Sequence, residues 1–308
     1  MRAVQFAAYG NPDVLDMVEL PLPEPRPGEI RIKVKAIGVN PADFKWRSGM
    51  FAELVPLQLP HVLGYDIAGT VDALGDEISD FAVGDRVFAM LDNICKGGYA
   101  EFAVCMGTHV ARMPAGLSFE AAAALPTPAL TGFQIIEEQL QPESGQTVLI
   151  TGATGAAGRF AIYAARRSGA RVVAAVRASQ QDEARKLGAN ETFVLGGQAW
   201  KGQFDHIADT VGGAAVAALC HQLNPGGHIR TISTTPIDPT GLPAEPVFFP
   251  VRPDQKKLEE IGKLVAASEI KMPIALRLPL SQAVEAHRLA EKGGLGGKLI
   301  LIPHEDAI

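Results

Sequence analysis

Residues 148–158 read Val-Leu-Ile-Thr-Gly-Ala-Thr-Gly-Ala-Ala-Gly, and this stretch decides the fold. Thr147–Thr151 has the composition of a buried strand, and Ala157–Ser168 reads as a helix. Between them lie three glycines at a spacing of three, Gly152, Gly155 and Gly158. A strand that turns directly into a helix leaves the first N–H groups of that helix unpaired, and the helix dipole adds positive potential there. Glycines at the turn let a pyrophosphate approach those groups closely. The run Gly152, Ala153, Thr154, Gly155, Ala156, Ala157 and Gly158 is therefore predicted to cradle a dinucleotide, with Gly158 letting the helix close onto the strand. Against the fingerprint G-x-G-x-x-G, Ala153 stands at the first glycine. A tight structural turn is the competing reading of such a motif in isolation. The strand before it, the helix after it and a second strand at Arg171–Val176 favour the cofactor.

Outward from this turn, strands and helices alternate. Glu191–Leu195, Phe204–Asp209 and Gly227–Ile232 supply three more strands and Asp182–Leu187 a helix, the pattern of a doubly wound parallel sheet. The chain before Met113 differs: Glu29–Ala36 alternates charged and apolar residues, Pro21–Pro27 is loop, and Ile67–Val71 and Gly84–Ala89 are short strands. This is a β-rich domain. Glu120–Leu125 is helical, Pro126 and Pro128 are expected to interrupt it, and Thr131–Leu140 resumes a helical pattern. Helices at Pro253–Ser268 and Ser281–Glu291 and a strand at Gly297–Ile302 complete the chain.

A chain of 308 residues with 47% hydrophobic and 20% charged residues suits two globular domains. The net charge of −6 disfavours nucleic acid and anionic membranes as partners. No apolar run is long enough to span a bilayer, and the N-terminus reads as a strand rather than a signal segment. Cys95, Cys105 and Cys220 are odd in number and widely spaced, so packing roles and a reducing cytoplasm are expected.

The cofactor is expected to be NADPH. An NAD site wants an acidic side chain after the second strand, to hold the ribose 2′-hydroxyl. Here Arg177 and Ser179 stand there, suited to a 2′-phosphate, with a plain surface arginine as the alternative. A short-chain reductase would need glycine at Ala156 and lysine at Arg167, four residues after Tyr163. That reading fails.

Several further motifs carry a family resemblance through nearly the whole chain. They are Tyr9–Leu15, Gly38–Asp43, Leu63–Val71, Phe81–Val87, Gly98–Phe102, Asp209–Gly213 and Gly296–Ile300. The sequence resembles the zinc-free quinone oxidoreductase (zeta-crystallin-like) branch of the medium-chain dehydrogenase/reductase superfamily. The resemblance implies an α/β chain with a GroES-like catalytic domain over 1–118 and 270–308, a Rossmann domain over 119–269, and an active site in the cleft between them. It implies hydride transfer from NADPH to a quinone, an enone or an alkenal, and a homodimer. It places Thr127, Thr131, Thr210, Val211, Gly297 and Lys298 on the cofactor; helix capping explains Thr127 and Thr131 equally well.

Zinc-dependent relatives place cysteine near Asn40 and a His-Glu pair where Tyr65-Asp66 stands, and their structural lobe needs four cysteines where this chain has only Cys95. No metal is expected. Charge developing on a substrate carbonyl must then be met by side chains. Asn40 and Lys45 are candidates for that contact, against a turn-forming asparagine and a solvated lysine. Asp43 orients Lys45 or caps the following helix, and Tyr65 either faces the cleft or packs as core. His61, His221 and His287 form no cluster and read as structural or surface residues. An NADPH-binding sensor with little turnover is the alternative to an enzyme.

Overall fold

Alternation over Glu29–Gly38 produces one long strand whose apolar members Ile30, Ile32, Val34 and Ala36 are all fully buried, as a two-residue period requires. The computed structural model describes residues 1–92, 97–197 and 200–304; Cys95 lies outside them. In chain order the elements are β1 (Arg2–Phe6), β2 (Leu15–Glu19), β3 (Glu29–Gly38), α1 (Pro41–Arg47), β4 (His61–Val62), β5 (Asp66–Leu74), β6 (Arg86–Met90), β7 (Phe102–Met106), β8 (Val110–Arg112) and α2 (Phe119–Ala123). Then come α3 (Pro126–Gln134), β9 (Thr147–Thr151), α4 (Ala156–Arg167), β10 (Arg171–Val176), α5 (Gln181–Leu187), β11 (Glu191–Val194), β12 (Phe204–Asp209), α6 (Ala214–Cys220), β13 (Leu223–Thr231) and β14 (Pro246–Phe248). The chain closes with α7 (Gln255–Ala266), β15 (Ile274–Pro279), α8 (Ala283–Lys292) and β16 (Lys298–Ile302).

These elements form two units, Met1–Thr127 with Arg252–Ile308, and Pro128–Val251. The divisions lie away from the 118/119 and 269/270 boundaries read from the sequence. The physical reason is packing: α2 lies on β3 and β5, and α7 on β8, so both helices bury their apolar faces in the β-rich unit.

In the first unit a sheet runs β15-β16-β3-β5-β6-β8, with β7 also paired to β3, and a smaller sheet runs β2-β1-β4. Register shifts at Arg31/Ile32 and Val34/Ala36 bend β3 against β5. The last strand returns to the first part of the chain, Ile300 opposite Gly38 and Leu301 opposite Ile37. That return brings Lys298 beside the end of β3. Cys105 packs in this unit's core.

The second unit is a six-stranded parallel sheet in the order β11-β10-β9-β12-β13-β14, the doubly wound arrangement. Its sixth strand, β14, was not legible: three residues beginning with Pro246 show no period. Cys220 is buried in this core, and burial pushes its thiol up to about 12. The order reverses between β9 and β12, so the loops after those two strands border the crevice where such sheets bind ligands.

One expectation about the helices is corrected. The helix breaks at Ala124–Leu125, just ahead of Pro126, but the next helix starts at Pro126 and not at Thr131: both prolines lie in the first turn of α3, where a missing N–H breaks no helical bond. Thr131 consequently sits inside α3 rather than at its start, and the helix continues as a π-turn over Ile135–Leu140. No helix among the described residues is long and apolar enough to cross a membrane.

Candidate functional site

In the second unit the glycine turn has the shape a dinucleotide needs. Gly152 adopts φ +57°, and a Cβ there would stand 2.3 Å from Thr210 Oγ1. A Cβ on Gly158 would stand 2.4 Å from the Gly152 carbonyl oxygen and 2.7 Å from Ala153 Cα, so α4 packs directly on the turn. Gly155 caps α4 and is exposed with Ala156, whereas Ala153, Thr154 and Gly158 are buried. Gly155 and Ala156 thus present the helix N-terminus to a ligand, and the buried three shape it. Arg159 pins the turn from inside, donating to the Thr154 carbonyl and to Glu183, each at 2.9 Å. Gly158→Val should therefore abolish measurable binding of a reduced nicotinamide dinucleotide, read by titrating cofactor fluorescence against the circular dichroism of the folded protein. Wild-type affinity in that variant would remove the turn from the site.

The neighbouring loop is built by Asp209, which the sequence showed only as part of a motif. Its buried carboxylate accepts from Thr151 Oγ1 at 2.5 Å, Thr231 Oγ1 at 2.6 Å, and the backbone N–H groups of Val211 and Gly212 at 3.0 Å each. Thr210 adds a reciprocal pair: its N–H donates to Thr151 Oγ1 and its hydroxyl to the Thr151 carbonyl, both at 2.9 Å. One carboxylate thereby ties together the ends of β9, β12 and β13. Val211 is left 39% exposed beside the crevice. Arg177 and Ser179 are exposed just beyond β10, and the Arg177 Nε donates to Gln180 Oε1 at 3.1 Å. The rest of that guanidinium is open to an anion.

In the first unit a buried polar cluster gathers Asn40, Asp43, Asp66, Thr127 and Lys298. Asn40 is the N-cap of α1, with Pro41 next, and Asp43 Oδ2 accepts the Asn40 N–H at 2.8 Å. The Asn40 Nδ2 donates to Asp66 Oδ2 at 2.9 Å and to the Gly38 carbonyl at 3.3 Å. Lys298 Nζ donates to Asn40 Oδ1 at 2.6 Å and to the Val39 carbonyl at 2.8 Å, and lies 3.8 Å from Asp66 Oδ2. The Thr127 hydroxyl and N–H both donate to Asp66 Oδ1, at 2.6 and 2.8 Å. Thr131 is buried, and Gly297 leads into β16 ahead of Lys298.

A second chain of contacts leaves Asp43. Its Oδ2 also accepts from the Tyr99 hydroxyl at 3.1 Å, and that hydroxyl meets His287 Nε2 at 3.1 Å. Burial raises the Asp43 carboxyl and lowers the His287 imidazole to about 3, with the Arg47 charge adding to the latter. His287 is thus a neutral core residue, as the sequence suggested, but one that joins this network. Arg47 is itself buried and pairs with Glu291.

Neither Lys45 nor Tyr65 hydrogen-bonds into the cluster among the described residues. The Lys45 side chain is half-buried, which lowers its ammonium, and it has no hydrogen-bond partner among the described residues. Tyr65 is 6% exposed and lines a small cleft with Trp46, His61, Leu63 and Asp92. Burial and the Asp43 charge raise its hydroxyl, which keeps its proton as a donor.

A zinc ion does not fit these residues. Asp66 is surrounded by donors, the Asn40 amide is hydrogen-bonded on both sides, and among the described residues no group of three or more His, Cys, Asp or Glu could hold a metal ion.

Residues 26–115 match the family described as the alcohol dehydrogenase GroES-like domain, and residues 169–301 that described as zinc-binding dehydrogenase. A quinone oxidoreductase of Homo sapiens is 30% identical over 331 residues, spanning 98% of each chain. A chloroplast envelope quinone oxidoreductase homolog of Arabidopsis thaliana is 28% identical over 324 residues, again spanning 98% of each. Among solved structures, the quinone oxidoreductase from Coxiella burnetii superposes with a TM-score of 0.88 at 30% identity, covering 99% of both chains. A structure described as an NAD-dependent alcohol dehydrogenase gives a TM-score of 0.88 at 30% identity over 99% of this chain and 100% of its own.

Proposed function

The chain belongs to the quinone oxidoreductase branch of the medium-chain dehydrogenase/reductase superfamily, and from that premise we propose that it uses NADPH to reduce a quinone or the C=C bond of an enone or alkenal. It is an oxidoreductase with a nicotinamide cofactor. Bound NADPH would supply the hydride. The glycine turn, with Gly155 and Ala156 at the open N-terminus of α4, fits its pyrophosphate, and Thr210 and Val211 border the crevice beside it.

The observation that carries the choice of substrate is the contrast between two lysines. Lys298 is buried and hydrogen-bonded internally, while the Lys45 ammonium is half-buried without a partner. Lys45 meets the carbonyl oxygen as negative charge develops there, and Tyr65 serves as a second donor. Each well-placed donor is worth about 3–4 kcal/mol to such a transition state. Asn40, with its amide committed to Asp66, Gly38 and Lys298, supports the site rather than the substrate. Activated C=C bonds and quinones suit this equipment, because they are already electrophilic. Oxidising a saturated alcohol needs a hydroxyl pKa lowered by many units, the work a catalytic metal does.

The deciding experiment is an NADPH-oxidation screen across quinones, enones, alkenals and enoyl thioesters, beside saturated alcohols with NADP⁺. Saturated alcohols as best substrates would sink the reading. Arg177 and Ser179 support NADPH over NADH, through charge-assisted bonds to a 2′-phosphate. Arg177→Asp is expected to raise the KM for NADPH at least tenfold, on the order of the 1.5–3 kcal/mol of one charged hydrogen bond, and to leave NADH nearly unaffected. Equal wild-type affinity for the two cofactors would remove that assignment.

The same premise extends to a homodimer. β14 is an edge strand with Val247 44% and Phe248 51% exposed, an open ladder that a second copy can extend. Light scattering should give twice the chain mass for wild type and a single chain mass for Phe248→Asp. A monomeric wild type at micromolar concentration would count against it.

A further inference from the structure

We propose that Lys298 is a positioning residue: its ammonium is the resident cation of the first unit's polar cluster, holding Asn40, Asp66 and Thr127 in register for reduction. The proposal rests on the reductase reading above and deepens it. Family likeness puts Lys298 on the cofactor, yet its side chain is only 5% exposed and its donors already face Val39 and Asn40.

The geometry explains what that ammonium does. An asparagine amide can flip, exchanging a carbonyl oxygen for an NH₂ group of nearly the same shape. With Lys298 Nζ at 2.6 Å from Asn40 Oδ1, the flipped form would set NH₂ against NH₃⁺, so one orientation survives. In that orientation Nδ2 faces Asp66, whose two oxygens receive Asn40 Nδ2 and both donors of Thr127. Burial raises the Asp66 carboxyl, and Lys298, Thr127 and Asn40 oppose that shift by favouring the carboxylate. One positive and one negative charge therefore clamp four segments: the start of β16, the β3–α1 junction, the start of β5 and the first turn of α3. Three of these carry the candidate residues Lys45, Tyr65 and Thr127.

A structural filler would not need this chemistry. Well-packed apolar residues often replace a buried ion pair with no loss of stability, whereas the pair imposes orientation on its neighbours. This points to geometry, and not stability, as the function of Lys298.

The test uses Lys298→Met, Asp66→Asn and the double variant in the full chain. Each single change leaves one buried charge unpaired and should lower the denaturation midpoint. The double variant removes both charges and should recover the midpoint to near wild type. Its kcat should nevertheless remain at least tenfold down while NADPH affinity changes less than about threefold, the split expected when only transition-state geometry is lost. Recovery of kcat together with the midpoint overturns the proposal, as does wild-type kcat in Lys298→Met. A readout free of turnover stands beside these. The two side-chain amide protons of Asn40 should be resolved and slow to exchange in wild type, and should shift and exchange faster in Lys298→Met. An unchanged pair refutes the proposal whatever the activity. If wild type reduces none of the electrophiles, the reductase reading falls, and the amide signals alone decide the role of Lys298.

Discussion

Replacing Asp66 by alanine should destabilise the first unit by about 3–5 kcal/mol, the range for removing one partner of a buried ion pair. Three losses combine at that position. The Lys298 ammonium keeps its place without its counter-charge. Asn40 Nδ2 loses its shorter hydrogen bond, and Thr127 loses the acceptor for both its hydroxyl and its N–H. The last of these also uncaps α3, since Asp66 satisfies a donor in its first turn. Thr127→Ala is the milder control. It deletes one hydroxyl donor to a charged acceptor and should cost about 1.5–3 kcal/mol. Urea unfolding monitored at the aromatic residues of the first unit measures both. A loss below about 1 kcal/mol for Asp66→Ala would mean that Lys298 and Thr127 find other partners, and the clamp would not be the organising feature of the cluster.

The contrast between what could and could not be read in advance follows from how far information travels along the chain. The glycine turn was legible because its requirements are local: strand, small residues and helix follow each other within eleven positions, and Gly152 and Gly158 occupy the places where a Cβ would strike backbone or Thr210. Alternation in β3 was legible for the same reason. The polar cluster was not. Asn40 meets Asp66 at a separation of 26 residues and Lys298 at 258, and no spacing rule connects such pairs. Lys298 was read only through the family resemblance, as a cofactor contact, and Tyr99 only as part of the motif Gly98–Phe102, although its hydroxyl bridges Asp43 and His287. Pro126 and Pro128 marked the break between α2 and α3 but not where α3 starts. Proline signals a helix break or a helix start with equal force, and Asp66, unseen in the sequence as a cap, selects the start. Sequence identified the type of each unit; the folded return of β16 onto β3 created the cluster.

Lys45→Met should lower kcat by about 10²–10³, the effect of removing one well-placed donor to a developing oxyanion, while leaving NADPH affinity unchanged. Methionine keeps the length and apolar stem of the side chain, so the half-buried setting beside α1 is preserved and the change isolates the charge. The proposal also fixes a pH dependence. Burial lowers the Lys45 ammonium below an ordinary lysine, so its charged form is complete at low pH and is lost as pH rises through that lowered value. The kcat profile of wild type should accordingly fall on the alkaline side at a lower pH than an exposed lysine would give. Arginine stays charged throughout the accessible range. Lys45→Arg should therefore retain part of the activity and lose the alkaline fall, whereas Lys45→Met should be low and flat. A Lys45→Met variant within threefold of wild type would take the polarising role from Lys45. An alkaline limb persisting unchanged in Lys45→Arg would assign the titration to a different group, and the Tyr65 hydroxyl, the second donor proposed above, would be the next side chain to replace.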